Sequence, residues 1–486
     1  MLRGRRSRFA AALAALLATL AGCATNPVTG KRQFSLVTQA QELELGSEGN
    51  KAVLEEYGAY DDPGLQAYVD SVGHALARVS HRPDLEWHFT IVDDPAVNAF
   101  ALPGGYIFVT RGILAHLGSE AQLAGVIGHE IGHVTARHSA QQMTQQQLAG
   151  LGLGLASMVS PAFQRYGGVA QQALGLLFLK YSRADETQAD ELGVEYSTKA
   201  GWDSRQMPLT YEMLGRMSVR SGQRLPTFLA THPDPGDREA HTRALAAKET
   251  QGRTGLLIRE RSYLGHVNGI VYGDDPRTGY FEGDQFYHPG LGFQMRFPAG
   301  WQTQNQRSAL LAQEPQQRAA MQLTVEKTGG ESPAAFVDQL AASGKILGAR
   351  GAPETVGGFP AWAGRLAVRN QDGSQGSLVA AFIQRPGGET FQVLGRGTAP
   401  GDAYEAMILE SARAFRSLSD PARRNPRPAR VELVTVSRTE PLRQVIAKLG
   451  EQGIDPEGTS ILNNVQLDED VLKGQPIKIV RPGSRR

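Results

Sequence analysis

The sequence predicts an α+β protein: a mainly helical first domain, an α+β middle domain and a small closing β-α-α-β module. Three observations carry this. The chain has 486 residues, more than one hydrophobic core organises, so about two or three domains are expected. Apolar residues recur at helical spacing up to about residue 250, whereas strand-like alternation dominates after about residue 280. A basic, proline-containing stretch at 421–430 then sets the last segment apart.

Residues 1–22 read as an export signal. Arg3, Arg5, Arg6 and Arg8 make a cationic start, and Ala10 to Leu20 make an apolar run too short to span a bilayer permanently. Phe9 falls one position late for a twin-arginine signal, so Sec-type export is expected. Leu20-Ala21-Gly22-Cys23 resembles the bacterial lipoprotein box, which implies cleavage before Cys23 and lipidation of its thiol. Cys23 is the only cysteine, so the chain has no intramolecular disulfide and no CxxC site. The alternative is a free cysteine after an ordinary signal. Ala24 stands where an aspartate would imply inner-membrane retention, so the expectation is a periplasmic chain anchored in the inner leaflet of the outer membrane. Residues 23–41, broken by Asn26-Pro27 and Thr29-Gly30, read as a tether.

The first domain is expected over 42–250. Leu65, Tyr68, Val72 and Leu76 mark one apolar helix face, residues 87–92 and 106–109 read as strands, and Ser119-Glu120-Ala121-Gln122 resembles a capping box opening the next helix. Two apolar stretches, 148–163 and 169–181, are each shorter than a membrane span. They read as a buried helical hairpin or a cover over the site, with a membrane-dipping or client-binding segment as the alternative. In the second domain, 280–420, strands at 293–297, 320–325 and 378–383 flank helices at 333–342 and 403–415. The last module, 431–486, opens with a strand at 431–436, continues with a helix at 442–449 and closes with a strand at 474–480. Lys+Arg 50 against Asp+Glu 49 leaves a formal +1, which gives no electrostatic footprint for nucleic acid.

Chemistry concentrates in His129-Glu130-Ile131-Gly132-His133, an HExxH pattern. Side chains four apart share one face of a helix, so both imidazoles can reach one tetrahedral Zn2+, while Glu130 projects beside them to take the proton of an attacking water. Chance produces such a pattern in a chain of this kind at an expectation on the order of one in a hundred. A solvated surface helix fits badly, because Leu123, Val126, Ile127 and Ile131 make the segment too apolar, and buried histidines need partners. A third ligand must come from elsewhere, since Arg137 occupies the next turn. Glu186 is the candidate: it shares a helix face with Asp190, so one can bind metal while the other holds a ligand histidine through its second ring nitrogen. Arg183 is the candidate to order these carboxylates. His138 falls on a different face from His133 and is assigned no role.

These motifs resemble the M48 family of metallopeptidases. The HExxH at His129 to His133 pairs with Glu186-Thr187-Gln188-Ala189-Asp190, an ExxAD pattern, and Asn98 to Gly105 matches the family's Asn-Ala-Phe-Ala-x-Pro-Gly-Gly segment. Cys23 to Lys31 followed by Gln41 to Gly46 resembles the start of the periplasmic lipoprotein branch. The resemblance covers about residues 23–250. It implies a zincin-like fold, one zinc ion and endopeptidase activity on misfolded or stalled envelope proteins. It also implies that Asn98, Ala99, Phe100 and Ala101 receive an extended substrate as an added strand. Thr231-His232-Pro233 matches a motif whose histidine sits over the zinc, so His232 either stabilises the oxyanion or fills the open position and keeps the enzyme latent; an ordinary loop histidine is the remaining reading. Residues 431–486 resemble a degenerate LysM module, but Ser437-Arg438-Thr439-Glu440 departs from the usual Gly-Asp-Thr, which argues against peptidoglycan as a partner. A latent-site chaperone or outer-membrane assembly factor is the competing function.

Overall fold

The computed structural model describes residues 23–148, 168–177, 180–221, 227–232, 235–370 and 373–484. The expected export signal at 1–22 and nearly all of the apolar stretch at 148–163 lie outside the described residues. The chain divides into two compact units, one of residues 1–273 with 429–482 and the other of 274–428 with 483–486.

The first unit opens with β1 (Cys23–Thr25) and β2 (Arg32–Phe34), an antiparallel pair in which Cys23 lies across from Phe34. This stretch, read as a tether, is docked. The Asn26 side chain accepts from the backbone N–H of Val28 and Thr29 and donates to the carbonyl of Ala136, so the polar turn residues spend their hydrogen bonds holding a hairpin against the protein. Helix α1 (Gln39–Glu56) follows, capped by Thr38 and Gln41, then α2 (Pro63–Ala77), whose Leu65, Val69, Val72 and Leu76 are buried. β3 (His88–Val92), β4 (Ala99–Leu102) and β5 (Tyr106–Thr110) form a sheet of order β3-β5-β4, with β3 and β5 parallel and β4 an antiparallel edge. The opposite edge is closed by the Gln66 side chain, which donates to Phe89 O and accepts from Ile91 N as a neighbouring strand would.

After the short α3 (Arg111–His116) comes α4 (Glu120–Thr135), in which every residue is buried. An element buried on all sides is the axis of the domain, and it carries the HExxH. Ser119 caps it by accepting from Gln122 N, but no capping box forms: Gln122 turns its side chain to Gly118 N, and Glu120 is buried as an acceptor for Tyr68, Trp202 and Arg259. Helices α5 (His138–Leu148), α6 (Gly168–Leu176) and α7 (Arg183–Lys199) follow, then α8 (Met207–Ser221), α9 (Thr227–Thr231), α10 (Pro235–Glu249) and α11 (Glu260–Val267). α4 and α7 approach closely because small residues face one another. A Cβ on Gly132 would lie 3.1 Å from Leu192 Cβ, and one on Gly193 would lie 3.0 Å from His129 N. That approach lets side chains from the two helices meet.

In the second unit a seven-stranded sheet of order β12-β13-β14-β15-β11-β10-β9 is built from β9 (Gln302–Asn305), β10 (Leu310–Gln313), β11 (Ala320–Lys327), β12 (Gly348–Val356), β13 (Phe359–Arg369), β14 (Gln375–Gln384) and β15 (Glu389–Arg396). A smaller sheet of order β16-β8-β7-β6 holds β6 (Tyr280–Glu282), β7 (Gln285–His288), β8 (Phe293–Arg296) and β16 (Arg416–Ser417). Strand alternation supplies two cores: Val379, Ala381 and Ile383 of β14 join one apolar cluster, Ala380 and Phe382 the other. Helices α12 (Pro333–Ala342) and α13 (Ala403–Arg413) complete the unit, and the middle domain is α+β.

The last segment pairs β17 (Arg430–Thr435) with β18 (Pro476–Arg481) and carries helices at Leu442–Lys448 and Pro456–Asn463 between them. It packs as part of the first unit. Ile461 joins the core around α4, Arg216 donates to Ser460, and the buried Lys478 ammonium donates to the carbonyls of Ala115, His116 and Leu117 at the end of α3. Among the described residues no helix is long and apolar enough to cross a membrane.

Candidate metal centre

Ligand-capable atoms of His129, His133, Glu186 and His232 all lie within 4.8 Å of one another, and all four residues are buried. His129 and His133, one turn apart on α4, bring their Nε2 atoms to 3.0 Å. Their other nitrogens are engaged elsewhere: His129 Nδ1 lies 2.9 Å from Asp190 Oδ1, and His133 Nδ1 lies 2.9 Å from His138 Nδ1. The Asp190 carboxylate beside His129 Nδ1 places that ring's hydrogen there and leaves His129 Nε2 bare toward His133 Nε2, where a cation can lie between them. Glu186 enters from α7, with Oε1 3.6 Å from His133 Nε2 and Oε2 3.6 Å from His129 Nε2. His232 follows α9 and sets its Nδ1 2.9 Å from Glu186 Oε1. Glu130 Oε1 is buried without a hydrogen-bond partner, 3.7 Å from His232 Nε2. Three imidazoles, a carboxylate and a second, unsatisfied carboxylate oxygen make a donor set that fits zinc.

Arg238 organises two of the carboxylates. Arg238, on α10, donates through Nε to Asp190 Oδ2 at 2.8 Å and through Nη2 to Asp190 Oδ1 at 2.7 Å. Its Nη1 lies 2.7 Å from Glu186 Oε2, an ion-pair contact without hydrogen-bond alignment. Tyr211 completes the group by donating to Asp190 Oδ1 at 2.6 Å. Burial pushes the Glu130 carboxyl up. Burial acts the same way on Glu186 and Asp190, but His232 and Arg238 beside the first, and Arg238 beside the second, outweigh it and hold both below the usual carboxylate range. Burial pulls His232 down, yet the charges of Glu186 and Glu130 hold it above its ordinary value.

The structure thus brings together His129, Glu130, His133, Glu186, Asp190 and His232. It corrects one reading. His138 is no bystander: α4 ends at Thr135, Arg137 takes a left-handed conformation with φ 61°, and a new helix starts at His138, so the helical projection that set His138 apart from His133 does not apply. Arg238, which pairs with both carboxylates, had no local signal in the sequence because it lies far along the chain from both helices. Tyr181 was likewise unmarked, although its ring stacks on His133 at 4.0 Å. Asn98 leads into β4, where Ala99, Phe100 and Ala101 are all buried, and Asn98 Oδ1 is buried without a hydrogen-bond partner.

Residues 63–246 match the model of Peptidase family M48. Over 225 residues the chain is 34% identical to the mitochondrial metalloendopeptidase OMA1 of Arabidopsis thaliana, covering 45% of this chain and 44% of that protein. It is 31% identical over 228 residues to a putative beta-barrel assembly-enhancing protease of Vibrio cholerae, covering 45% and 47%, and 30% identical over 229 residues to the beta-barrel assembly-enhancing protease of Escherichia coli, covering 45% and 46%. The chain spans about half the length of these curated relatives. Every side chain gathered at the centre falls within the segment that matches the model of Peptidase family M48.

Proposed function

We propose that the protein is a zinc-dependent endopeptidase of the bacterial envelope, with His129, His133 and Glu186 as metal ligands and Glu130 as the general base. The observation that carries this is the convergence of four buried donors beside an unpartnered Glu130 oxygen. Zinc bound there supplies the Lewis acidity that polarises a peptide carbonyl and acidifies a water. The remaining work falls to side chains. Glu130, its carboxyl pushed up by burial, takes the proton of the attacking water and returns it to the leaving amine. Asp190, locked by Arg238, fixes the ring of His129. An extended substrate adds to the β4 edge through main-chain hydrogen bonds beside Asn98, Ala99, Phe100 and Ala101, whose side chains are turned into the protein.

Lipidation at Cys23 would anchor the chain on the periplasmic face of the outer membrane, and its clients would be misfolded or stalled envelope proteins, in keeping with the names of the Vibrio and Escherichia relatives. The outer-membrane assembly machinery is the proposed partner. A second reading has an observation of its own. His232, buried and 2.9 Å from Glu186, stands where a fourth ligand would close the centre, so the enzyme rests latent and opens on a client, or serves as a chaperone while closed. Glu130→Gln decides between enzyme and chaperone. The enzyme reading expects zinc retained and casein cleavage reduced about 10²–10⁴-fold, with loss of cellular function; retained cellular function without cleavage would favour the chaperone.

A further inference from the structure

The two histidines of the HExxH are held by different chemistry. His129 leans on a carboxylate, Asp190, at 2.9 Å. His133 leans on another imidazole, with its Nδ1 2.9 Å from His138 Nδ1 and both residues 1% exposed. Two ring nitrogens at that distance share one hydrogen. Nε2 of His133 faces His129 and Glu186 and must be bare to serve a metal, so the hydrogen of His133 sits on Nδ1 and is donated to His138. His138 Nδ1 is then an acceptor, and its own hydrogen, on Nε2, is donated to Gln188 Oε1 at 3.0 Å, with Asp185 Oδ1 3.6 Å away. Gln188 and Asp185 lie on α7, the helix that carries Glu186 and Asp190. The two metal-bearing helices are therefore tied twice, by His129 to Asp190 at one end and by His133 through His138 to Gln188 at the other.

We propose that His138 is a positioning residue of the centre: by accepting from His133 Nδ1 and donating to Gln188 it fixes the tautomer and ring orientation of His133. This rests on the reading of His133 as a ligand. The Tyr181 ring stacked on His133 at 4.0 Å, with its hydroxyl 3.0 Å from Ser139 Oγ, holds the remaining face and leaves the ring one hydrogen-bonding direction to settle. Removing the acceptor leaves a buried Nδ1–H unsatisfied and frees the ring to turn, and loss of such a partner costs about 10–100-fold in metal affinity.

The test is zinc affinity of the full chain, measured by competition with a chromophoric chelator at one pH, together with thermal unfolding of the metal-free forms. His138→Ala is expected to weaken zinc about 10–100-fold. His138→Asn, whose Oδ1 can accept where Nδ1 did, is expected to recover most of that loss, and both variants should melt with the metal-free wild type. The cobalt-substituted His138→Ala protein should also show a shifted visible spectrum, which His138→Asn restores. Wild-type zinc affinity in His138→Ala would overturn the proposal, as would an Asn variant as weak as Ala with an equally lowered metal-free melting temperature. His133→Ala is the control: if it keeps wild-type affinity, the ligand reading falls and takes the proposal with it.

Discussion

In the second unit each of three buried carboxylates has an arginine of its own: Glu405 with Arg365, Glu314 with Arg318 and Asp275 with Arg277, each arginine reaching the surface. In the first unit Glu130, Glu186 and Asp190 crowd around three histidines, and Glu186 and Asp190 share one buried guanidinium, that of Arg238. Local pairing settles the cost of burying charge one residue at a time and leaves nothing over. Convergence does not: Glu130 Oε1 stays unpaired, and the Nε2 atoms of two imidazoles face each other at 3.0 Å. A fold that solves buried charge cleanly in one unit and leaves it open in the other has put its ligand site where it is open.

The sharpest way to break this contrast is to take away the cation. Exhaustive chelation should abolish peptide cleavage and zinc should restore it, while the second unit's unfolding, followed by exchange at β14, stays put. Next in size, Arg238→Ala leaves Glu186 and Asp190 buried without their counter-charge. It should destabilise the first unit by about 3–5 kcal/mol, and Arg238→Lys should recover only part, because a point charge cannot replace the two-pronged contact to Asp190. Lys478 gives a smaller, pH-dependent effect. Burial lowers its ammonium to about 7 from 10.5, so between those values the unfolded chain holds one more proton than the folded chain and stability rises with pH. Wild type should gain stability over Lys478→Met between pH 7 and 9 in denaturant melts. Smallest, Arg365→Ala removes a half-exposed partner of Glu405 and should cost about 1 kcal/mol or less, with zinc content unchanged.

How much of this was legible in the sequence follows the range of the interactions. His129 to His133 and Glu186 to Asp190 could be read because each pair is set by one turn of one helix. Arg238 could not, because only the fold brings α10 to α4 and α7. His138 was misplaced by a break at Arg137, a non-glycine residue at positive φ that nothing in the local sequence announces. Asn26 looked like linker punctuation because turn-forming residues in a docked hairpin and in a free tether are the same residues. The last segment looked separable because its fastening, Lys478 to Ala115, spans 363 residues of sequence.

The central claim is that one zinc ion is held by α4 and α7 together, and metal content of the purified chain tests it most directly. Wild type should carry one zinc per chain, His133→Ala and Glu186→Ala should each lose it, and Arg365→Ala should keep it. Full zinc in Glu186→Ala beside loss in His133→Ala would contradict the account, because the third ligand would then lie outside α7.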